Sequence, residues 1–196
     1  MRGRRRREGQ QGQSRGSKAL VCLALTLALA GDARAGSTVE EYSVKAAFLF
    51  HFAQFIEWPP GAFKNPGAPL TYCTVGEDPF RGALEATLNG KTIGIRGLRV
   101  AHFKQVEEVR DCQVVFLGGL GKKTVPEALA ALADRPVLTV GETQQFAQDG
   151  GMIGFRLEEN KVRFEINLAA TERAGLKISA QLLALASKVI GGPKGS

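Results

Sequence analysis

The sequence predicts a three-layer α/β domain, in which helices cover both faces of a mostly parallel sheet. Compact apolar runs such as residues 112–117 and 136–140 alternate with helical patterns, as expected for strands buried on both faces. Residues 153–166 instead alternate apolar and polar side chains around a turn, which predicts a C-terminal antiparallel hairpin. An apolar stripe over residues 169–190 then predicts a long final helix.

The first 35 residues predict a cleavable secretory signal. Basic residues crowd the first eighteen positions, where Glu8 is the only acid, and an apolar run over residues 19–30 follows. That run is shorter than the ~20 residues that span a bilayer, which disfavours the alternative of a retained membrane anchor. A small-x-small site ending at Ala35 favours cleavage before Gly36. We therefore expect export, followed by one periplasmic domain over residues 36–196.

Processing changes the charge of the protein. The leader holds eight of the 26 lysines and arginines but two of the 19 acids, which leaves 18 basic against 17 acidic residues. No basic field remains to attract nucleic acid or anionic lipid. We expect neither a nucleic-acid partner nor membrane insertion after processing.

The first predicted element of the mature chain is a helix over residues 40–56, ended by the prolines after Trp58. Its expected apolar face comprises Val44, Phe48, Phe52 and Phe55. The elements predicted next are a strand over 70–75, a helix over 78–88, weakly patterned strands over 91–93 and 98–101, a strand over 112–117, a helix over 125–133, a strand over 136–140 and a short helix over 143–148. The final helix should place Ile178, Leu182, Leu185 and Val189 on one stripe.

Two cysteines, Cys73 and Cys112, remain in the mature chain. Paired thiols in an oxidising compartment usually form a disulfide, so we expect these two to be joined, with two buried free thiols as the alternative. The histidines lie far away in the sequence and complete no zinc signature. We predict no metal site and no cofactor.

Catalytic signals are poor throughout the chain. The glycine-rich stretch 118–124 resembles a phosphate-binding loop but has Phe116 where the first glycine belongs and Lys123 where Ser or Thr belongs. A catalytic triad would have to recruit His51 or His102, and no Gly-x-Ser-x-Gly elbow supplies the nucleophile. We therefore do not expect an enzyme.

Aromatic residues around the end of the first helix are the candidate partner-binding residues. Phe50 lies about 200° around the helix from Phe48, so the helix is aromatic on two sides. Burial between the sheet and the final helix is the alternative explanation. If the activity is binding, Phe50, Phe55 and Trp58 are the anchors that we expect at the interface.

A row of polar residues on the last strand is a second candidate. Arg163, Glu165 and Asn167 share one face of that strand, and Arg173 follows a few residues later. The row is either a solvated edge or the polar side of a ligand pocket.

The mature chain also resembles a known family along nearly all of residues 41–190. The matching stretches are VKAAFLF (44–50), FIEWP (55–59), CTVGEDPF (73–80), PVLTV (136–140), GGMI (150–153), FEIN (164–167) and AGLKISAQLL (174–183). Their order and spacing resemble the YfiR-like family.

The resemblance implies a periplasmic α/β regulator and not an enzyme. Such proteins bind the periplasmic sensor portion of an inner-membrane diguanylate cyclase and hold it inactive, and a Pal-like outer-membrane lipoprotein relieves the inhibition, raising cyclic di-GMP and biofilm formation. Cys73 and Cys112 match the family's core disulfide, whereas a second cysteine pair found in some members is missing here. A homodimer stays open, as do two other functions: a small-ligand sensor, and an enzyme with His51 or His102 beside a nucleophile in a pocket.

Overall fold

The structure is a computed structural model that describes the backbone of residues 32–192 and the side chains from residue 38 onward. The chain divides into two compact units, Met1–Thr38 and Val39–Ser196, and every described strand belongs to the second. Nearly all of the predicted signal sequence lies outside the described residues, so its cleavage stays a prediction. Within the described part, no helix is long and apolar enough to cross a membrane.

Short elements alternate along the described chain. The helices are α1 (Asp32–Gln54), α2 (Ala83–Leu88), α3 (Val125–Leu132), α4 (Leu168–Arg173) and α5 (Ala180–Leu185), with a 3-10 turn at Val106–Glu108. The strands are β1 (Ile56–Glu57), β2 (Leu70–Gly76), β3 (Thr92–Ile93), β4 (Arg96–Phe103), β5 (Val114–Gly119), β6 (Leu138–Gly141), β7 (Ile153–Glu158), β8 (Lys161–Asn167), β9 (Lys177–Ile178) and β10 (Lys188–Ile190).

One eight-stranded sheet organises the fold, in the order β10-β8-β7-β6-β5-β2-β4-β3. Neighbouring strands are parallel throughout the run β4-β2-β5-β6-β7, and β10 is parallel to β8. Strands β7 and β8 form the predicted antiparallel hairpin, whose turn residues Glu159 and Asn160 both have positive φ. The prediction of a mostly parallel α/β sheet with a C-terminal hairpin is confirmed. Strands β1 and β9 pair separately as a small antiparallel sheet.

Apolar side chains cover both faces of the sheet. On one face, Leu49 and Phe52 of α1 pack with Phe155 and Phe164 of the hairpin, and the buried residues of α2, α4 and α5 join the same cluster. On the other face, α3 and the 3-10 turn pack against Val115 and its neighbours in β2 and β5. This three-layer arrangement follows from strands that are apolar on both sides.

The long final helix is the prediction that was wrong. Helix α4 ends where Gly175 adopts a left-handed conformation with φ of +71°, and its amide donates to the Glu172 carbonyl. A new helix starts at Ser179, whose hydroxyl accepts from the amide of Leu182. The interruption lets residues 177–178 pair with β1 and residues 188–190 pair with β8, so strand pairing replaces helical hydrogen bonds. The expected stripe is accordingly broken, with Leu182 buried and Leu185 65% exposed.

Three smaller expectations differ from the structure. The buried face of α1 is formed by residues 45, 46, 49, 52 and 53, whereas Val44 is 40% exposed. Helix α2 begins only at Ala83, and the Asp78 carboxylate instead accepts from the Phe80 amide in the preceding turn. Residues 143–148 form turns and not a helix.

Candidate functional site

The predicted disulfide joins Cys73 of β2 to Cys112, two residues before β5 begins. The two Cα atoms are 6.0 Å apart, within the range that a disulfide tolerates, and both side chains are buried in the second core cluster. Because β2 and β5 are neighbours with Cys73 opposite Val115, the bridge reinforces the centre of the sheet. The structure therefore contains the pairing that the two remaining cysteines predicted.

The candidate partner residues Phe50, Phe55 and Trp58 are all half-buried, so each packs against the core and keeps part of its side chain exposed. The ammonium group of Lys91 lies 4.5 Å from the centre of the Phe50 ring, a cation–π contact. The carbonyl of Phe55 accepts from the amide of Ser179, which attaches the end of α1 to the segment around β9.

Trp58 belongs to a second cluster, with Phe63 and Arg96, and Arg96 pairs with Ile93 of β3. Its ring meets that of Phe63 edge to face at 6.2 Å, and the Arg96 guanidinium stacks 3.6 Å above Phe63. The indole Nε1 is buried without a hydrogen-bond partner in the described structure. Between Lys91 and Arg96, the tight β3–β4 turn carries Ile95, which is 83% exposed. Sequence analysis missed Ile95, because the strands predicted on either side of it are only weakly patterned.

The four polar candidates are not gathered into one pocket. Asn167 caps α4 by accepting from the Ala170 amide, while its amide group donates to the Ala147 carbonyl. Glu165 faces Arg156 at 3.9 Å, and Arg163 and Arg173 are exposed. Asn167 thus has a structural role, and ligand binding by this row stays a prediction.

A buried cation that the sequence analysis missed lies at the carboxyl end of β6. Lys45 of α1 is 5% exposed, and its ammonium group is 2.5 Å from carboxylate oxygens of both Glu41 and Glu142. The Tyr42 hydroxyl donates to the second oxygen of Glu142 at 2.9 Å. Burial and the neighbouring Glu142 carboxylate raise the pKa of Tyr42 well above its ordinary value. The signal in the sequence was the spacing of Lys45 with Leu49 and Phe52, which places a lysine on the buried face.

These groups border an open groove of about 280 Å³, whose other walls include Phe155, Arg156 and Leu157. Lys45 contributes no free positive charge to it, because two carboxylates contact one ammonium group. The arrangement therefore acts as a clamp between the middle of α1 and the end of β6.

His102 lies between a hydroxyl and a carboxylate. Its Nδ1 is 2.7 Å from the Thr74 hydroxyl, and its Nε2 is 2.7 Å from a Glu85 oxygen. The same residue types form nucleophilic triads, but the Thr74 side chain is buried at 1% exposure while His102 and Glu85 are partly exposed. His51 is exposed and contacts Gln54. Within residues 38–192, no three potential metal-binding side chains cluster.

The described residues thus form a mixed α/β domain whose candidate sites are open surfaces around the rim of one sheet. The chain belongs to the YfiR/HmsC-like family, whose model matches residues 42–187. This match confirms the resemblance drawn from the sequence motifs.

A solved structure offers a weaker comparison. The crystal structure of a conserved domain protein from Vibrio cholerae O1 biovar El Tor strain N16961 is similar with a TM-score of 0.45 and 11% identity. The similarity covers 61% of this chain and 54% of that one, so this chain spans about half the length of the solved protein. A similarity of this size carries no argument about function.

Proposed function

We propose that this chain is an exported periplasmic regulator that binds the sensor portion of an inner-membrane diguanylate cyclase and represses it. The observation that carries the proposal is the family match over residues 42–187, which includes both cysteines of the disulfide. Repression of this kind lowers cyclic di-GMP and biofilm formation, and a Pal-like lipoprotein would relieve it. The proposal includes removal of residues 1–35 during export, which N-terminal sequencing of the secreted protein tests directly.

The surface around the end of α1 supports a protein partner. Half-buried aromatic residues flanked by cations resemble the anchors and polar rim of protein interfaces. Phe50 and Trp58 supply the rings, Lys91 and Arg96 supply the rim, and Ile95 of the β3–β4 turn adds an exposed apolar side chain next to Arg96. This combination favours the contact surface that the sequence analysis suggested.

The proposed activity involves no chemistry by this protein. The hydroxyl of Thr74 is the only one that contacts a histidine among the described hydrogen bonds, and it is buried beneath the surface that carries His102. A nucleophile has to reach within contact distance of a substrate, which this burial opposes. We therefore assign Thr74, His102 and Glu85 to holding α2 against the sheet.

Deletion of the gene is the first test, and we expect it to raise cyclic di-GMP and surface attachment. A secreted wild-type copy should reverse both effects. A copy carrying Phe50→Ala and Trp58→Ala should fail to do so, whereas Leu185→Ala, which truncates an exposed apolar residue on α5, should restore repression. Unfolding midpoints of the purified variants separate loss of binding from loss of folding.

The outcomes distinguish the three function classes. Unchanged cyclic di-GMP after deletion contradicts the repressor proposal. Saturable thermal stabilisation by a metabolite would then support the small-ligand sensor, and substrate turnover would support an enzyme. Full repression by the folded double variant would contradict only the proposed contact surface.

A further inference from the structure

The outer edge of β4 has no covering strand over most of its length. From Leu98 to Phe103, β4 pairs with β2, whereas β3 pairs only with Arg96 and Gly97 on the other side. Among the described residues, no other strand lies against this edge. Its outward backbone amides and carbonyls are therefore available, and such edges readily pair with an added strand.

A groove runs between this edge and α2. Its volume is about 620 Å³, within the ~300–1,000 Å³ of typical ligand clefts. Leu88, Leu98 and Val100 supply its apolar lining, and the His102–Glu85 pair lies in the same groove. Leu98, Val100 and His102 occupy alternate positions of β4, so they face the same side of the sheet. The groove thus offers apolar contacts beside free backbone hydrogen-bonding groups.

The charge of the edge indicates which kind of strand fits it. No acidic residue occurs from Arg96 to Lys104. The Arg96 guanidinium already donates a hydrogen bond to the Ala68 carbonyl. Arg99 and Lys104, in contrast, are exposed and have no ion-pair partner among the described residues. Two copies of this edge placed side by side would bring like charges together, so the charge disfavours a second copy as the occupant.

We propose that this edge of β4 binds an extended acidic segment of a protein partner by strand addition. Backbone hydrogen bonds to residues 98–103 would supply affinity, and alternate side chains would supply specificity. Because strand side chains alternate, apolar residues of the segment lie on Leu98 and Val100, and acidic residues lie beside Arg99 on the other face. This inference is independent of the cyclase proposal, since it concerns the chemistry of the segment and not the identity of its owner.

A short synthetic peptide that alternates glutamate and valine is the probe, added to the secreted, processed protein. We expect saturable binding by fluorescence anisotropy, which higher salt weakens, together with slowed hydrogen exchange confined to the outward amides of residues 98–103, those that do not bond to β2. Arg99→Glu should weaken binding about tenfold, as expected when a charge beside the contact is reversed. Lys122→Glu makes the same charge change on the exposed loop after β5, and it should bind like the wild type.

Four results would overturn the proposal. The first is an absence of saturable binding, and the second is equal binding of a matched peptide that alternates lysine and valine. The third is protection of the outward amides of residues 98–103, those that do not bond to β2, in the protein alone, with dimers in sedimentation velocity, which would assign the edge to a second copy of the chain. Protection at any other segment would also contradict the assignment to β4.

Discussion

Removal of the disulfide should strongly destabilise the domain. The bridge spans a sequence separation of 39 residues, for which the chain-entropy model gives about 4 kcal/mol. Cys73 and Cys112 are 1% and 3% exposed, so replacing both by alanine also removes packed atoms from the core. Since a domain is stable by only about 5–15 kcal/mol, this loss is a large fraction of the total.

Urea and thermal unfolding followed by circular dichroism measure the effect on the double variant Cys73→Ala/Cys112→Ala. We expect the free energy of unfolding to fall by about 4 kcal/mol and the melting temperature by about 8–16 °C. Reductant should destabilise the wild type similarly and leave the double variant unchanged, which serves as the control. A double variant within about 1 kcal/mol of the oxidised wild type would refute the entropic argument.

Two further predictions concern buried polar groups. Lys45→Met leaves the carboxylates of Glu41 and Glu142 without their cation, and we expect the free energy of unfolding in urea to fall by about 2 kcal/mol. Adding Glu142→Gln should recover part of that loss. An unchanged free energy of unfolding in Lys45→Met would contradict the clamp. Burial raises the pKa of Tyr72, so the folded state favours its neutral phenol. The contribution of Tyr72 to stability should be full below about pH 10 and fall at higher pH, because the phenol ionises more readily in the unfolded chain. Because the Tyr72 hydroxyl has no hydrogen-bond partner in the described structure, Tyr72→Phe should cost little at pH 7 and should flatten that decline, and an unchanged decline would exclude Tyr72 as its cause.

Local patterns predicted the sheet because they report burial directly. The apolar runs at residues 70–75, 112–117 and 136–140 became the adjacent strands β2, β5 and β6, since a strand covered on both faces has no polar side to display. The alternating pattern on either side of Glu159 and Asn160 became the β7–β8 hairpin, because a strand covered on one face alternates apolar and polar side chains. The disulfide followed from cysteine number and compartment together.

The errors occurred where a local preference competed with a distant partner. Residues 169–190 have helical spacing, but Gly175 allows the chain to turn, and β1 and β8 then offer backbone hydrogen bonds that no local pattern encodes. Tertiary pairing outweighs the helical propensity of a short segment, because propensities amount to less than about 1 kcal/mol per residue.

The sequence by itself determined the α/β class, the hairpin, the cysteine pair and the family, because each depends on residues close in the chain or on composition. Only the tertiary structure decided that Lys45 is buried between Glu41 and Glu142, and that β4 is left with a free edge beside α2. The first joins segments about a hundred residues apart, and the second depends on the order of the strands, so neither exists until the sheet is formed. Candidate sites on this protein are therefore properties of the sheet's rim and not of any single motif.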